Sequence, residues 1–225
     1  LEGLFGKVLE INTTTALQDS GDLAKVKVYC LILKYGPDYN KEFKKYVKEH
    51  PPKTSAEMFQ VERNYIQTID KRVKYIKNLV GGDTTNSLTM FNEVAYGKRI
   101  FDELDVEHKH YVSGAVKKDK RIQIVETLEE NNNHHLVASK GTFKRSINCR
   151  NIHRIIKECM MKGENDLKQI IGRGLRTHKD KKFLTFIDLV DNINGANIAM
   201  KQFEKRVEVY RKEGYNPKFI EVEIN

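Results

Sequence analysis

The stretch Gln169-Ile-Ile-Gly-Arg-Gly-Leu-Arg176 decides how the rest of the chain is read. On a helix, positions i, i+4 and i+7 share one face. That spacing predicts a stripe of Gln169, Arg173 and Arg176. Leu167, Ile171 and Leu175 fall on another side and are available for burial. Gly172 and Gly174 leave room for a close approach. Two guanidiniums and an amide on one stripe suit a polyphosphate, because arginine offers planar, permanently charged, bidentate donors. The same groups suit charge developing on a transferring phosphoryl group. A plain helix with solvated arginines is the simpler alternative.

Outward from this helix the chain alternates. Residues 183–190 follow it as an apolar run, 196–212 as an amphipathic helix and 218–224 as a closing strand. Upstream, strands are predicted over 26–34, 87–91, 109–112, 136–139 and 152–156. Helices are predicted over 41–50, stopped by Pro51-Pro52, then 57–80 as one long span, 93–104 and 117–130. The arginine helix starts near Asn165. Strands alternating with helices imply an α/β fold, a mostly parallel sheet with helices on both faces. Ligands of such sheets bind beyond the carboxyl ends of the strands.

The length of 225 residues allows one large α/β domain or two small ones. The formal charge of +9 favours an anionic partner, with nucleic acid the usual one. Cys30, Cys149 and Cys159 show no metal-ligand spacing and read as reduced packing residues of an intracellular protein. No apolar run is long enough for a membrane span, and no signal-peptide core precedes the domain. The chain does not begin with methionine, so a fragment or a processed product is expected.

Gln169 to Arg176 resembles motif VI of superfamily 2 helicases, QxxGRxxR. Val137 to Asn148 resembles motif V, Tyr111-Val-Ser-Gly114 motif IVa, and Met90-Phe-Asn92 motif IV. The order matches too, from the lead-in Gly3-Leu-Phe-Gly6 to the end of the chain. The likeness is strongest to the second RecA-like domain of UvsW-type phage helicases and related DEAD/DEAH-like DNA helicases. It implies a division into residues 1–25, leading from a separate N-terminal motor domain, and residues 26–225, the RecA-like domain.

The resemblance implies an ATP-driven motor on nucleic acid, with Mg²⁺-ATP sandwiched between two RecA-like domains. Carried over, Arg176 is the arginine finger on the γ-phosphate. Arg173 contacts phosphate or a facing acid. Gln169 positions the γ-phosphate or the attacking water. Asn148 faces the ribose, and Gly172 permits the approach. The phosphate-binding loop GxxxxGK[ST] is absent. Asp102-Glu-Leu-Asp105 imitates an acid box, but it lies at a helix end, whereas a Mg²⁺-binding pair should cap a buried strand. The chain alone is therefore expected to hold half an active site and not to hydrolyse ATP. Motif V also departs from its relatives: Lys144 stands for a serine and Ser146 for a glycine.

Motors that track a strand grip its sugar-phosphate backbone. Asn92, Ser113, Gly114, Ser139 and Thr142 each follow a predicted strand, with Lys140, Lys144 and Arg145 among them. They are the expected groove for nucleic acid, DNA in preference. Each has a plain reading: Ser113-Gly114 a turn, Thr142 a helix cap, Lys144 and Arg145 solvated charge. Asp188 and Asp191 are expected to serve as one helix cap and one ion pair, not as a metal site. His134-His135 reads as loop composition, and His153 as packing at a strand start. Two rivals to a motor remain: a non-catalytic nucleic-acid-binding module that kept the fold, and a translocase subunit of a restriction system.

Overall fold

In the computed structural model, the described residues are 17–18, 20–82, 84–161 and 163–224. The lead-in motif at Gly3 to Gly6 lies outside them. Seven strands form one parallel sheet in the order β3-β4-β2-β5-β6-β1-β7. They are β1 (Lys25–Tyr35), β2 (Ser87–Phe91), β3 (Lys109–Val112), β4 (His135–Ser139), β5 (Arg154–Lys157), β6 (Phe183–Asn192) and β7 (Lys218–Ile224). The helices are α1 (Pro37–Glu49), α2 (Ser55–Thr68), α3 (Asp70–Val80), α4 (Val94–Glu103), α5 (Lys118–Glu130), α6 (Lys140–Ser146), α7 (Glu164–Gly174) and α8 (Ile198–Lys212).

A parallel sheet needs cover on both faces, and the strand period of two supplies it. In β2, Leu88 and Met90 enter one core with β4 residues Leu136 and Ala138, under α5, α6, α7 and α8. Phe91 and Val137 point the other way and pack with Val73 and Ile76 of α3 and Ile100 of α4. A third cluster under α1 and α2 joins Phe43, Tyr65 and Ile66 to Leu33 at the end of β1. Among the described residues, no helix is long and apolar enough to cross a membrane.

The single helix expected over 57–80 is two helices. Ile69 takes extended backbone (φ −75°, ψ 104°) and buries its side chain. The Arg99 guanidinium donates to the carbonyl oxygen of Gln67 at 2.7 Å, satisfying the end of α2, and also pairs with Asp70 in the first turn of α3. The apolar spacing survives the break because Ile69, Val73, Ile76 and Val80 resume it, so periodicity alone does not reveal it.

The expected ion pair is present, at both Asp188 and Asp191, but neither residue caps a helix. Asp188 is fully buried with Lys157 (2.7 Å), Arg206 (2.8 Å) and Tyr210 (2.8 Å). Asp191 accepts from Arg72 at 2.7 Å and from Tyr35 at 2.6 Å. The start of α8 is capped instead by Glu62 of α2. Its carboxylate accepts from the backbone N–H groups of Ile198 (2.7 Å) and Ala199 (2.8 Å), the favoured position for an anion on a helix. His135 is no loop residue: it is buried in β4 between Ser87 and Thr89.

Candidate nucleotide and nucleic-acid sites

Helix α7 buries Leu167, Ile170 and Ile171 against the sheet, and Leu175 follows them inward as expected. The helix stops at Gly174, so Arg176 lies beyond its end and not on the predicted stripe. A Cβ on Gly174 would stand 2.7 Å from Leu184 and 2.8 Å from Ile155, so the helix end presses directly on β5 and β6. The chain then leaves α7 to pair with the lead into β1. Leu23 and Arg176 form an antiparallel bridge, and Ala24 N–H donates to the Leu175 carbonyl oxygen at 2.8 Å.

Arg173 and Arg176 are neighbours all the same. Burial, and then the charge of Arg176, pull the Arg173 pKa down. Arg173 donates from Nη1 to the carbonyl oxygen of Ile147 at 2.8 Å. Among the described residues no acceptor holds the guanidinium of Arg176. Gln169 lies one turn before Arg173 and is exposed, as is Gly172, whose Cα faces open space. Asn148, just past α6, is exposed as well.

This cluster lies at the amino edge of the sheet, beside the starts of β1 and β6. The arginines therefore do not lie at the carboxyl ends of the strands, where sheet ligands are expected. The second set of candidate residues does lie there. Asn92 and Ser113-Gly114 follow the carboxyl ends of β2 and β3, and Ser139 is the last residue of β4. Gly114, Ser139, Gly141, Thr142, Arg145 and Ser146 line a cavity of about 390 Å³ together with Arg121 of α5.

The polar groups there are partly engaged. Ser139 caps α6, its Oγ accepting from Thr142 N–H at 3.3 Å and meeting the Thr142 hydroxyl at 2.7 Å. Asn92 turns its amide inward to the Met160 carbonyl oxygen at 3.1 Å. Ser113 is buried, while Gly114 is exposed. Lys144 is ion-paired with Asp166, which also takes Lys140 at 3.1 Å. Arg145 is exposed.

The sequence reading missed two features of this edge. Helix α6 is one. The other is Arg121, which donates from Nη1 to Ser146 Oγ at 2.9 Å. Its Nε is buried and meets no acceptor among the described residues. The signal was the motif V departure itself: a serine in place of a glycine supplies the oxygen that Arg121 uses. Asp102 and Glu103 close α4, and Asp105 is exposed beyond it, so the imitation acid box is a helix end as read.

No family model matches the chain. The ATP-dependent DNA helicase UvsW of Enterobacteria phage T4 is 33% identical over 196 residues, 84% of this chain and 37% of UvsW. The crystal structure of T4 UvsW superimposes with a TM-score of 0.72 at 27% identity, over 90% of this chain and 42% of that one. The type ISP restriction-modification enzyme LlaBIII bound to DNA reaches a TM-score of 0.69 at 13% identity, covering 99% of this chain and 17% of that one. The C-terminal domain of the DEAD-box protein Dbp5 reaches 0.57 at 11%, covering 88% and 90%; at such identities these two share the fold alone. The chain thus spans well under half of UvsW. By sequence the chain is homologous to a 196-residue stretch of T4 UvsW, and it has the RecA-like fold of helicase C-terminal domains.

Proposed function

We propose that this chain is the second motor domain of an ATP-dependent DNA helicase or translocase. In this reading its amino edge supplies Arg176, with Arg173 and Gln169, to the phosphates of Mg²⁺-ATP held by a separate phosphate-binding module. The supporting observation is the state of Arg176, whose backbone is bridged to Leu23 while its guanidinium is left without an acceptor among the described residues. A fixed, preorganised cation with a free head stabilises charge that develops on a transferring phosphoryl group. Arg173 spends one N–H on Ile147 and keeps the rest of its fork for phosphate. Asn148 and Gly172 lie open on the same edge for the remainder of the nucleotide.

The carboxyl edge is the nucleic-acid side. The cavity at Gly114, Ser139, Thr142 and Arg145 offers hydroxyls and cations at strand ends, the chemistry that holds a sugar-phosphate backbone without reading bases. The phage T4 relative is named a DNA helicase, which supports DNA over RNA.

The test is hydrolysis by the protein carrying its phosphate-binding module. Arg176→Ala should slow turnover by about 10³- to 10⁵-fold. Near-normal turnover would remove the assignment. One observation favours the non-catalytic alternative: both altered motif V residues serve internal contacts, Lys144 with Asp166 and Ser146 with Arg121. If DNA fails to stimulate hydrolysis while the same protein still binds DNA, that alternative stands.

A further inference from the structure

Lys181 is 6% exposed, in the loop between α7 and β6. Its Nζ donates to two backbone oxygens, that of Arg176 at 3.0 Å and that of Arg150 at 2.9 Å. Its own N–H donates to the His178 carbonyl oxygen at 2.9 Å and closes the turn leading into β6. Arg150 is itself anchored, because its N–H donates to the carboxylate of Glu129 on α5. We propose that Lys181 is a positioning residue for Arg176, fastening the backbone that carries the arginine to the loop leaving α6. The proposal rests on the reading of Arg176 as the arginine finger.

Three features carry it. First, the Arg176 segment is held from two sides. The bridge to Leu23 and the bond from Ala24 to Leu175 hold one side, and Lys181 holds the other. A side chain that must meet a phosphate on a separate module needs its backbone fixed and its head free. A misplacement of ~1 Å at a reacting centre can cost about 100-fold in rate. Second, two carbonyls converge on one point. A compact ammonium serves such a point, whereas a planar guanidinium is built for parallel acceptors. Third, the ammonium is kept where burial opposes it. Burial pushes the Lys181 pKa down to about 8, against smaller upward pulls from Cys149 and Glu129. Among the described residues its hydrogen bonds go to main-chain oxygens alone, so the charge serves backbone placement.

The alternative is a staple that closes the loop before β6 and has no bearing on chemistry. A double-mutant cycle separates the two, run on ATP hydrolysis by the protein carrying its phosphate-binding module. The variants are Arg176→Ala, Lys181→Met and the pair. Lys181→Met should lower kcat about 10- to 100-fold, with the KM for ATP changed by less than about threefold. The pair should be no slower than Arg176→Ala, because Lys181 acts through that side chain. Losses that multiply in the pair, or wild-type kcat in Lys181→Met, would overturn the proposal. Wild-type kcat in Arg176→Ala would instead sink the finger reading and this inference with it. If Lys181→Met does not fold, Lys181→Gln, which keeps two donors and drops the charge, goes through the same cycle with the same criteria.

Discussion

Arg173 reaches from α7 to the carbonyl oxygen of Ile147, directly behind α6, with Nη1 2.8 Å from that oxygen. Helix α6 has only seven residues and begins at the carboxyl edge, where Ser139 caps it. One short helix and one hydrogen bond therefore join the two edges of the sheet. Arg173→Lys keeps a charge but cannot serve Ile147 and a phosphate with one planar fork. Its stability loss should be about 1 kcal/mol, read as a lower denaturation midpoint at unchanged slope. The larger expected effect is on coupling: the ratio of DNA-stimulated to basal hydrolysis should fall. A wild-type ratio would show that the edges communicate by another route.

Asp166 holds both Lys140 and Lys144 beside the proposed DNA surface. Lys144 weighs most among the causes that keep the Asp166 pKa low, so the carboxylate is charged at neutral pH. Partly exposed pairs of this kind contribute little stability. Asp166→Ala should cost under ~1 kcal/mol and release two cations. If they face the polyanion, single-strand affinity rises and the salt slope steepens, by about 0.7 per added phosphate contact. Equal slopes in filter binding of the two proteins would place these lysines off the DNA path.

The two motif glycines should behave oppositely. Gly174→Ala drives a methyl into Leu184 and Ile155 at under 3 Å and should destabilise by about 1–3 kcal/mol, the usual cost of overpacking. Gly172 faces open space in a helix, so alanine there should stabilise by up to ~1 kcal/mol. Where a nucleotide approaches Gly172, the same change should weaken ATP binding while it raises Tm. Unchanged ATP affinity would remove Gly172 from the site.

Most of the architecture was legible because its signals are local. The apolar run of β6, the apolar spacing of α4 and α8, and the stop at Pro51-Pro52 act within a few residues of chain. The departures are long-range. Arg99 ends α2 from another helix, Gly174 lets the last turn of α7 press on Leu184 and Ile155, and Glu62 caps α8 from 135 residues away at Asn197. The candidate site could be proposed from sequence as a list of residues but not as an arrangement. Motif spacing puts Arg173 and Arg176 near each other, yet only the sheet shows that they and Ser139 occupy opposite edges. Lys181 carries no motif, so nothing local in the sequence marks it, and Arg121 is marked only through its distant partner Ser146.

Acid should unfold the domain through two separate windows. At the β3 edge, His134 stacks between His108 and His110, with centroids 4.7 Å and 5.1 Å away. His110 Nε2 and His134 Nδ1 are 2.8 Å apart. Burial, then His134, Lys120 and His108, lower the His110 pKa below 6.5; burial and His108 lower that of His134. The unfolded chain therefore binds more protons near and below its ordinary value of 6.5, and stability falls as pH drops through that value. Asp188 acts lower down. Burial alone would raise its pKa, but Arg206 and Lys157 outweigh burial and hold it at about 2, against 3.8 for a free carboxyl. Its contribution is intact above 3.8 and fades towards 2. The double change His110→Asn and His134→Asn should flatten the Tm curve between about pH 7 and pH 5 and leave the lower window alone. Asp188→Asn should cost about 3–5 kcal/mol at neutral pH, because it strands Arg206 and Lys157 in the core. A wild-type slope in the histidine double variant would mean that the stack does not set the upper window.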